Sequence, residues 1–444
     1  MPFLKAVVRK LTPPAVYRLM SLLKRSVLLR ARVAVCRIRY ARHVRRIRRK
    51  VAAGGKIRVL FIVSEIAKWK EQKLYEAMDR SPLFEPVVGL SAWNMQSEAM
   101  CPNDELEATH RRAEEFFRRL GDRTVRTVTV RNGTRIASDL SEFAPDIVYY
   151  TEPWGPCGRQ ASRHVSRFAL TCYSPYYVPN YGEPQQECHL DVHVFLWRYF
   201  CIGKFWCKFL GDSFGWFDHT VEFVPAGHPA LDFFSEQKGR PPRGNSIVYA
   251  PHCSVPHPKV DYFPQYYGTI DWNGQALLDY ARKHPEIKWV FKPHPLLKNV
   301  LTGRLTPGVK GIWTDAEVDA YYKAWSEIGT VCTDGDYQDL FLDSRALITD
   351  CGSFLTEYGA TGRPVIHLIC DKNRRVPAAP AKAVYDTYYR VRNLDELHAT
   401  LKTVVEDMRD PRREERLAAV RKAGIADVNA SRNIVGYLQG VLAK

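Results

Sequence analysis

Residues 346–368 read ALITDCGSFLTEYGATGRPVIHL. A short apolar run ends in Asp350, and a small-residue turn follows. A helix-like segment then runs to the Gly-Arg-Pro break at 362–364, where a second apolar run begins. Strand, turn, helix, strand is the unit of a parallel sheet, because parallel neighbours need a crossover element between them.

The same alternation continues outward from this stretch. Upstream, NSIVYAPH (245–252), IKWVFKPHP (287–295), IGTVCTD (328–334) and RALITD (345–350) have strand character. NGQALLDYARKHP (273–285) and YQDLFLDS (337–344) have helix character. Nearer the start, KIRVLFIVS (56–64), FEPVVGLS (84–91), PDIVYYTEP (145–153) and RFALTCYS (167–174) repeat the strand signature, with WKEQKLYEAMDR (69–80) as a helix between the first two. VEFVPAGHPALDFF (221–234) closes this series, and the Pro/Gly/Arg-rich loop at 235–245 is a boundary by composition. The expected architecture is therefore α/β, with two facing Rossmann-like domains at 56–235 and 245–390. A basic helical arm at 1–55 precedes them, and charged helices at 391–444 follow. No GxGxxG follows the first strand, so the dinucleotide fingerprint is absent.

The length of 444 residues suits two or three domains, and 45% apolar residues suffice for real cores. The net charge of +17 is local. Of 65 Lys and Arg, 16 lie in residues 1–50, which contain no Asp or Glu; beyond them 49 basic residues face 48 acidic ones. A neutral body argues against nucleic-acid binding, which calls for basic stripes in the folded domains. In the arm, Val33, Tyr40, Val44, Ile47 and Val51 fall on one helical stripe with arginines around it, and Gly54 and Gly55 end the helix. That pattern is expected to lie on an anionic membrane surface, the alternative being a helix docked on its own protein. No apolar run is long enough to span a bilayer, and arginines interrupt any signal-peptide core. The 11 cysteines show no metal spacing and read as reduced thiols of a cytosolic protein.

In a parallel sheet, ligands bind at the carboxyl ends of the strands. Those ends carry His252, Lys292, His294, Asp334 and Asp350. Pro293 and Pro295 fix an extended backbone around His294, and Lys292 points to the same side of the strand. After Asp350, Gly352 is expected to let a ligand approach the backbone. Ser353 sits in the first helical turn, where unpaired N–H groups and the helix dipole favour a phosphate. Glu357, one turn on, suits a sugar hydroxyl. The bland alternative is that Asp350 and Ser353 merely cap the helix. His252 and His257 raise a metal reading, but no carboxylate stands at ligand spacing, so no metal and no cofactor are expected.

On these residues the chain resembles the CDP-glycerol glycerophosphotransferases, the teichoic-acid and capsule polymerases. YQDLFLDSRALITDCGSFLTEYGATGRPVIHL looks like their C-terminal signature through Asp336, Asp339, Leu340, Thr349, Asp350, Ser353, Glu357, Tyr358, Arg363 and Pro364. IVYAPH, VFKPHP and VPAGHPALDFF resemble further family segments. The likeness covers about 220–370 well and implies a GT-B fold. It also implies that the second domain holds the nucleotide (Lys292, Asp339, Asp350, Gly352, Ser353, Glu357) and that His294 and His252 are catalytic. Two departures stand out. Gly352-Ser353 replaces Ser-Ser, and the family's His-Gly motif is replaced by TCYSPYYVPNYGEP (171–184), where no histidine occurs. Tyr173, Tyr176 and Tyr177 are expected to line an acceptor site, and the base is sought at Glu65 or Glu152, since a phenol of pKa about 10 is a poor base.

The resulting expectation is a cytoplasmic enzyme, peripheral on the inner face of the cell membrane. It would take a CDP-activated donor and pass glycerophosphate, or a related polyol phosphate, to a lipid-linked or polysaccharide acceptor in cell-envelope polymer synthesis. A glycosyltransferase or nucleotide-sugar epimerase using a UDP-sugar is the alternative within the fold. A non-catalytic membrane scaffold and a nucleic-acid-binding protein are the alternatives outside it.

Overall fold

The computed structural model describes residues 14–91, 105–154, 158–181, 191–215, 218–235, 242–259, 266–305, 308, 310–333, 337–425 and 429–444, with side chains of the N-terminal helix from residue 26 on. The strands are β1 (Ile57–Val63), β2 (Phe84–Leu90), β3 (Thr124–Arg126), β4 (Val128–Arg131), β5 (Thr134–Ala137), β6 (Ile147–Tyr150), β7 (Leu170–Tyr173), β8 (Arg198–Cys201), β9 (Glu222–Pro225), β10 (Ser246–Ala250), β11 (Lys288–Phe291), β12 (Gly329–Val331), β13 (Ser344–Thr349), β14 (Val365–Leu368) and β15 (Tyr389–Val391). Those of the first domain form a parallel sheet in the order β3-β2-β1-β6-β7-β8-β9. Those of the second form a parallel sheet in the order β12-β11-β10-β13-β14-β15. Strands such as IVYY and LTCY are buried along their whole length, as sheets covered on both faces require. In each sheet the chain runs outward from the centre and then returns to the other side. The reversals lie between β1 and β6 and between β10 and β13, which are the ligand-binding points of doubly wound sheets.

The helices used below are α1 (Pro14–Ala52), α2 (Gln72–Asp79), α3 (Leu106–Arg119), α4 (Pro229–Ser235), α5 (Ile270–Lys283), α6 (Asp315–Ile328), α7 (Gln338–Asp343), α8 (Gly352–Gly359) and α9 (Ala430–Leu442). Several elements escape the reading by pattern. β3, β8 and β15 are three or four residues long, too short to carry a period. β4 and β5 form a separate antiparallel hairpin whose turn, Asn132-Gly133, has φ of 50° and 70°, the conformation that favours this pair in tight hairpins. α6 begins with a full capping box, Thr314 with Glu317.

The arm corrects the expectation about its face. Val33, Tyr40 and Ile47 are buried against the first domain, with Cys36 and His43 beside them, and Val44 and Val51 are partly covered. The Tyr40 hydroxyl bonds Thr171 Oγ1 and donates to Phe195 O; His43 Nε2 lies 3.0 Å from Ser166 O. Lys50 pairs with Asp146 at 2.6 Å. Burying a side chain such as Val33 or Ile47 stabilises by about 1.5–3 kcal/mol, so this stripe is held by protein and is not offered to lipid. What α1 turns outward is a second stripe: Val27, 63% exposed, then Ala31, Val35 and Ile38, continued by Arg42 and Arg45. At the other end of the chain, α9 returns to the first domain. Asp232 on α4 accepts from the backbone N–H groups of Ala430 and Ser431 at 2.6 and 2.7 Å, and Arg48 of α1 donates to Val441 O at 2.9 Å.

Candidate active site

The carboxyl ends of both sheets face one interdomain cleft with a cavity of about 300 Å³. That size suits a small-ligand site, and its position matches both reversal points.

The second domain supplies one wall. Asp350 ends β13, next to β10, and is buried. It accepts from His252 N at 2.6 Å, Thr269 N at 2.7 Å and Thr269 Oγ1 at 2.7 Å, so it ties the loop after β10 and the start of α5 to β13. Burial pushes its carboxyl up to about 7, against those three hydrogen bonds. Asp350 thus shapes the site from behind and does not face the ligand. The histidines do face it, with ring centroids 4.9 Å apart. His252 Nδ1 takes the Ser254 N–H at 3.1 Å and lies 2.7 Å from Ser254 Oγ, whose own lone pair accepts from Tyr267 N. His294 Nδ1 takes the Leu296 N–H at 3.1 Å. Burial, then Lys292, pushes His294 down to about 4; burial, then His294, pushes His252 well below the usual imidazole range. Both rings are therefore neutral at pH 7 with Nδ1 occupied as acceptor, which puts the proton on Nε2. They are hydrogen-bond donors and not bases. Lys292 stands beside them. The N-terminus of α8 opens onto the same cavity with Gly352, Ser353 and Phe354, and its N-cap Cys351 makes no side-chain capping bond. Ser353 Oγ lies 3.3 Å from Cys351 Sγ. Gly352 does not make way for a ligand as expected: a Cβ there would meet Tyr181 at 3.3 Å and Asn180 at 3.4 Å, and Asn180 Nδ2 donates to Gly352 O at 2.6 Å. Its bare face is an interdomain contact.

The first domain supplies the opposite wall. Glu65 follows β1 and Glu152 follows β6, the two strands at the reversal. Lys68 Nζ lies 2.9 Å from each carboxylate. Burial works against the ammonium of Lys68, but Glu152 and Glu65 outweigh it and raise its pKa. Glu65 lines the cleft, whereas Glu152, 3% exposed, lies behind Lys68 and reaches no ligand. Trp154, Tyr176 and Tyr177 continue this wall, with Trp154 edge-on to Tyr176 at 5.2 Å. Burial holds the Tyr176 phenol well above its ordinary value, so it stays protonated. Tyr173 is fully buried, takes the Tyr176 N–H on its hydroxyl, and is core.

The walls join at the floor. Lys70 of the first domain donates to the Tyr337 hydroxyl, which donates to Glu357 Oε2; Lys70 Nζ is 3.7 Å from that oxygen. Glu357 is buried and lines the cavity, and its Oε1 has no hydrogen-bond partner among the described residues. At the far end, Arg375 donates to Tyr267 OH at 2.6 Å and stacks 4.3 Å over Tyr181.

Asp339 does not reach this place. It is an exposed side chain on α7, paired with Arg243 at 2.6 Å. Asp334 and Asp336 fall outside the described residues. Pattern reasoning missed Lys68, Lys70, Trp154, Tyr267, Tyr337 and Arg375. The lysines had a signal, since they follow β1 at the ligand edge of its sheet. The ligand atoms of His252, Cys253 and His294 lie within 4.8 Å of one another, a possible grip for a soft ion. The neighbouring Lys292 ammonium and a Cys253 thiol pushed up by burial both oppose a cation. His257 spends both ring nitrogens elsewhere, on Lys259 N and Lys310 O.

No family model and no curated protein matches the sequence. Solved structures do. A UDP-GlcNAc 2-epimerase from Neisseria meningitidis bound to UDP-GlcNAc aligns with TM-score 0.51 and 13% identity, over 87% of this chain and 100% of that one. A putative UDP-N-acetylglucosamine 2-epimerase from Listeria monocytogenes aligns with TM-score 0.53 and 12% identity, over 87% and 96%. The wall teichoic acid polymerase TagF soaked with CDPG aligns with TM-score 0.52 and 11% identity, over 92% and 98%. These likenesses show the GT-B fold.

Proposed function

We propose that the protein is a transferase that binds a nucleoside-diphosphate-activated polyol or sugar in the interdomain cleft and passes the activated group to an acceptor hydroxyl. The observation that carries this reading is the convergence on one cavity of Lys292, two neutral Nε2–H donors and the N-terminus of α8, with a Glu357 oxygen one turn along that helix that has no partner among the described residues. Such donors hold a diphosphate and stabilise charge developing on it. The Glu357 oxygen suits a ribose or sugar hydroxyl.

Within that class we favour a CDP-activated glycerol or related polyol, on the resemblance of residues 220–370. The acceptor oxygen forms a bond to the donor's transferred phosphorus, its proton passes to Glu65, and the bond from that phosphorus to the leaving nucleotide breaks, the electron pair departing with the nucleoside monophosphate. Glu65 is the carboxylate left to take the proton, because both histidines already hold theirs on Nε2 and the Tyr176 phenol does not ionise. Tyr176, Tyr177 and Trp154 flank the transferred group. The fold likeness to UDP-GlcNAc 2-epimerases keeps a UDP-sugar as the second reading. Supplying CDP-glycerol and UDP-GlcNAc separately distinguishes the two: released CMP supports the first, while UDP release or a new sugar epimer supports the second. Turnover of neither, with no binding of either, contradicts both.

The location we propose is the inner face of the cell membrane. The support is the outward stripe of α1, apolar at Val27, Val35 and Ile38 and basic at Arg42 and Arg45, which suits an anionic lipid surface. Val35→Glu with Ile38→Glu is expected to leave the protein in the supernatant when anionic vesicles are sedimented. Unchanged co-sedimentation would contradict it.

A further inference from the structure

A second cavity of about 260 Å³ lies beside the cleft, on the β2 side of Glu65. Its floor is the end of β1 and the segment after it, Val63 to Ile66, together with Leu90 at the end of β2. One face of α3 covers it with Thr109, His110, Arg112 and Ala113, and the second domain closes it with Pro295 and Thr333. Glu65 and Pro295 line both cavities, so the neck between the two spaces is the candidate base and the residue next to His294. His110 is 3% exposed, and its Nε2 has no hydrogen-bond partner among the described residues. A buried ring nitrogen left unpaired is unfavourable, and a bound hydroxyl would offset that. Arg112 donates to Thr109 Oγ1 at 3.0 Å, which holds its guanidinium near the opening.

We infer that this second cavity seats the hydroxyl-bearing end of the acceptor, a sugar or polyol unit, with His110 and Arg112 as its polar contacts and Glu65 at the neck. The inference rests on the transferase reading and gives the acceptor a place apart from the tyrosine wall. An acceptor unit held there presents its hydroxyl to Glu65 from the side opposite the phosphate site. The oxygen then reaches the electrophilic centre through the neck, the proton goes to Glu65, and the nucleotide leaves on the far side. A ligand filling one cavity leaves the other free, so donor and acceptor bind together.

The test uses the full chain with isotope-labelled histidine. Glycerol and N-acetylglucosamine serve as probes at millimolar concentration, with and without CDP-glycerol. At least one probe is expected to move the His110 ring resonances saturably. Ala113→Phe, which fills the cavity from α3, is expected to raise the half-saturating probe concentration at least tenfold while the calorimetric Kd for CDP-glycerol stays at the wild-type value. Arg112→Gln, an exposed change that spares the core, is expected to raise it about threefold. Should Ala113→Phe fail to fold, the Arg112 variant and the ring shifts still decide. Ring shifts confined to His252 and His294, or an Ala113→Phe protein with wild-type half-saturation, would overturn the inference. If His110 responds to a probe while no nucleotide binds, the cavity stands and the donor reading fails. If nucleotide binds and turns over while His110 stays silent, the reverse holds.

Discussion

The two walls of the cleft come from the same kind of sheet, yet they are built on opposite electrostatic plans. The second-domain wall presents mostly neutral donors, two histidines kept uncharged by burial and a helix N-terminus, beside the Lys292 ammonium. Its buried Asp350 stays behind the surface and holds the loops. The first-domain wall presents a charged chain, Glu65–Lys68–Glu152, laid across its sheet reversal. Preorganised neutral donors can meet a phosphate without themselves paying a large desolvation cost. A carboxylate needs a buried counter-ion to stay charged where it is wanted. Removing the buried counter-ion Lys68 should therefore cost stability on the first wall, and removing a neutral donor should cost rate on the second.

The largest effect expected from that contrast is on stability. Lys68→Ala takes the ammonium from between two carboxylates, one of them 3% exposed. Breaking such a buried arrangement from one side typically costs about 3–5 kcal/mol, readable in urea unfolding. A loss below about 1 kcal/mol would erase the contrast from the first side.

On the second wall, His294→Ala is expected to lower turnover by about 10²–10³ with little change in the urea midpoint, since one charge-stabilising donor is lost. Near-wild-type turnover with a pure donor would erase the contrast from the other side.

Smaller effects sharpen the picture within the second wall. Glu357→Gln should weaken nucleotide binding about tenfold or more, as loss of a hydrogen bond to a charged group does, and Ser353→Ala by about two- to tenfold. Calorimetric titration reads both. Equal, negligible losses would remove α8 from the site.

The smallest effect expected is none. His294 is held near pH 4, below the ordinary 6.5 or so. Between those values the unfolded chain takes up a proton that the folded chain refuses. Its contribution to stability is therefore full above about pH 6.5 and is lost as pH falls towards 4. The ring does not charge between pH 8 and 5, whereas Asp350, held near 7 behind the same wall, does; in an Asp350→Asn background, affinity for CDP-glycerol should therefore agree within about twofold at pH 5.5 and 7.5. Markedly tighter binding at the lower pH would mean that the histidines act as imidazolium.

Legibility in the sequence follows the same division. The second wall could be read because its groups sit on strand ends and one helix start: His252, Lys292, His294, Ser353 and Glu357 all line the cavity. Even there, pattern alone does not tell a residue that faces the ligand from one that braces it, as Asp350 illustrates. The first wall was legible only at Glu65 and the pair Tyr176 and Tyr177. Lys68 ends a single 3-10 turn and Lys70 and Trp154 lie in loops, where no period says which way a side chain turns. In α1 the period revealed an apolar stripe, but both faces of this helix carry one. Only packing decides that Val33 and Ile47 go inward while Val35 and Ile38 stay out.

The cleft is expected to hold a nucleoside diphosphate against the second-domain wall, and a crystal structure with CDP-glycerol tests this most directly. The diphosphate is expected at the start of α8, within hydrogen-bond distance of the Nε2 atoms of His252 and His294, with a ribose hydroxyl on Glu357 Oε1. A nucleotide bound elsewhere, or a diphosphate in the cleft that touches neither histidine nor the Gly352–Gly359 helix, would contradict it.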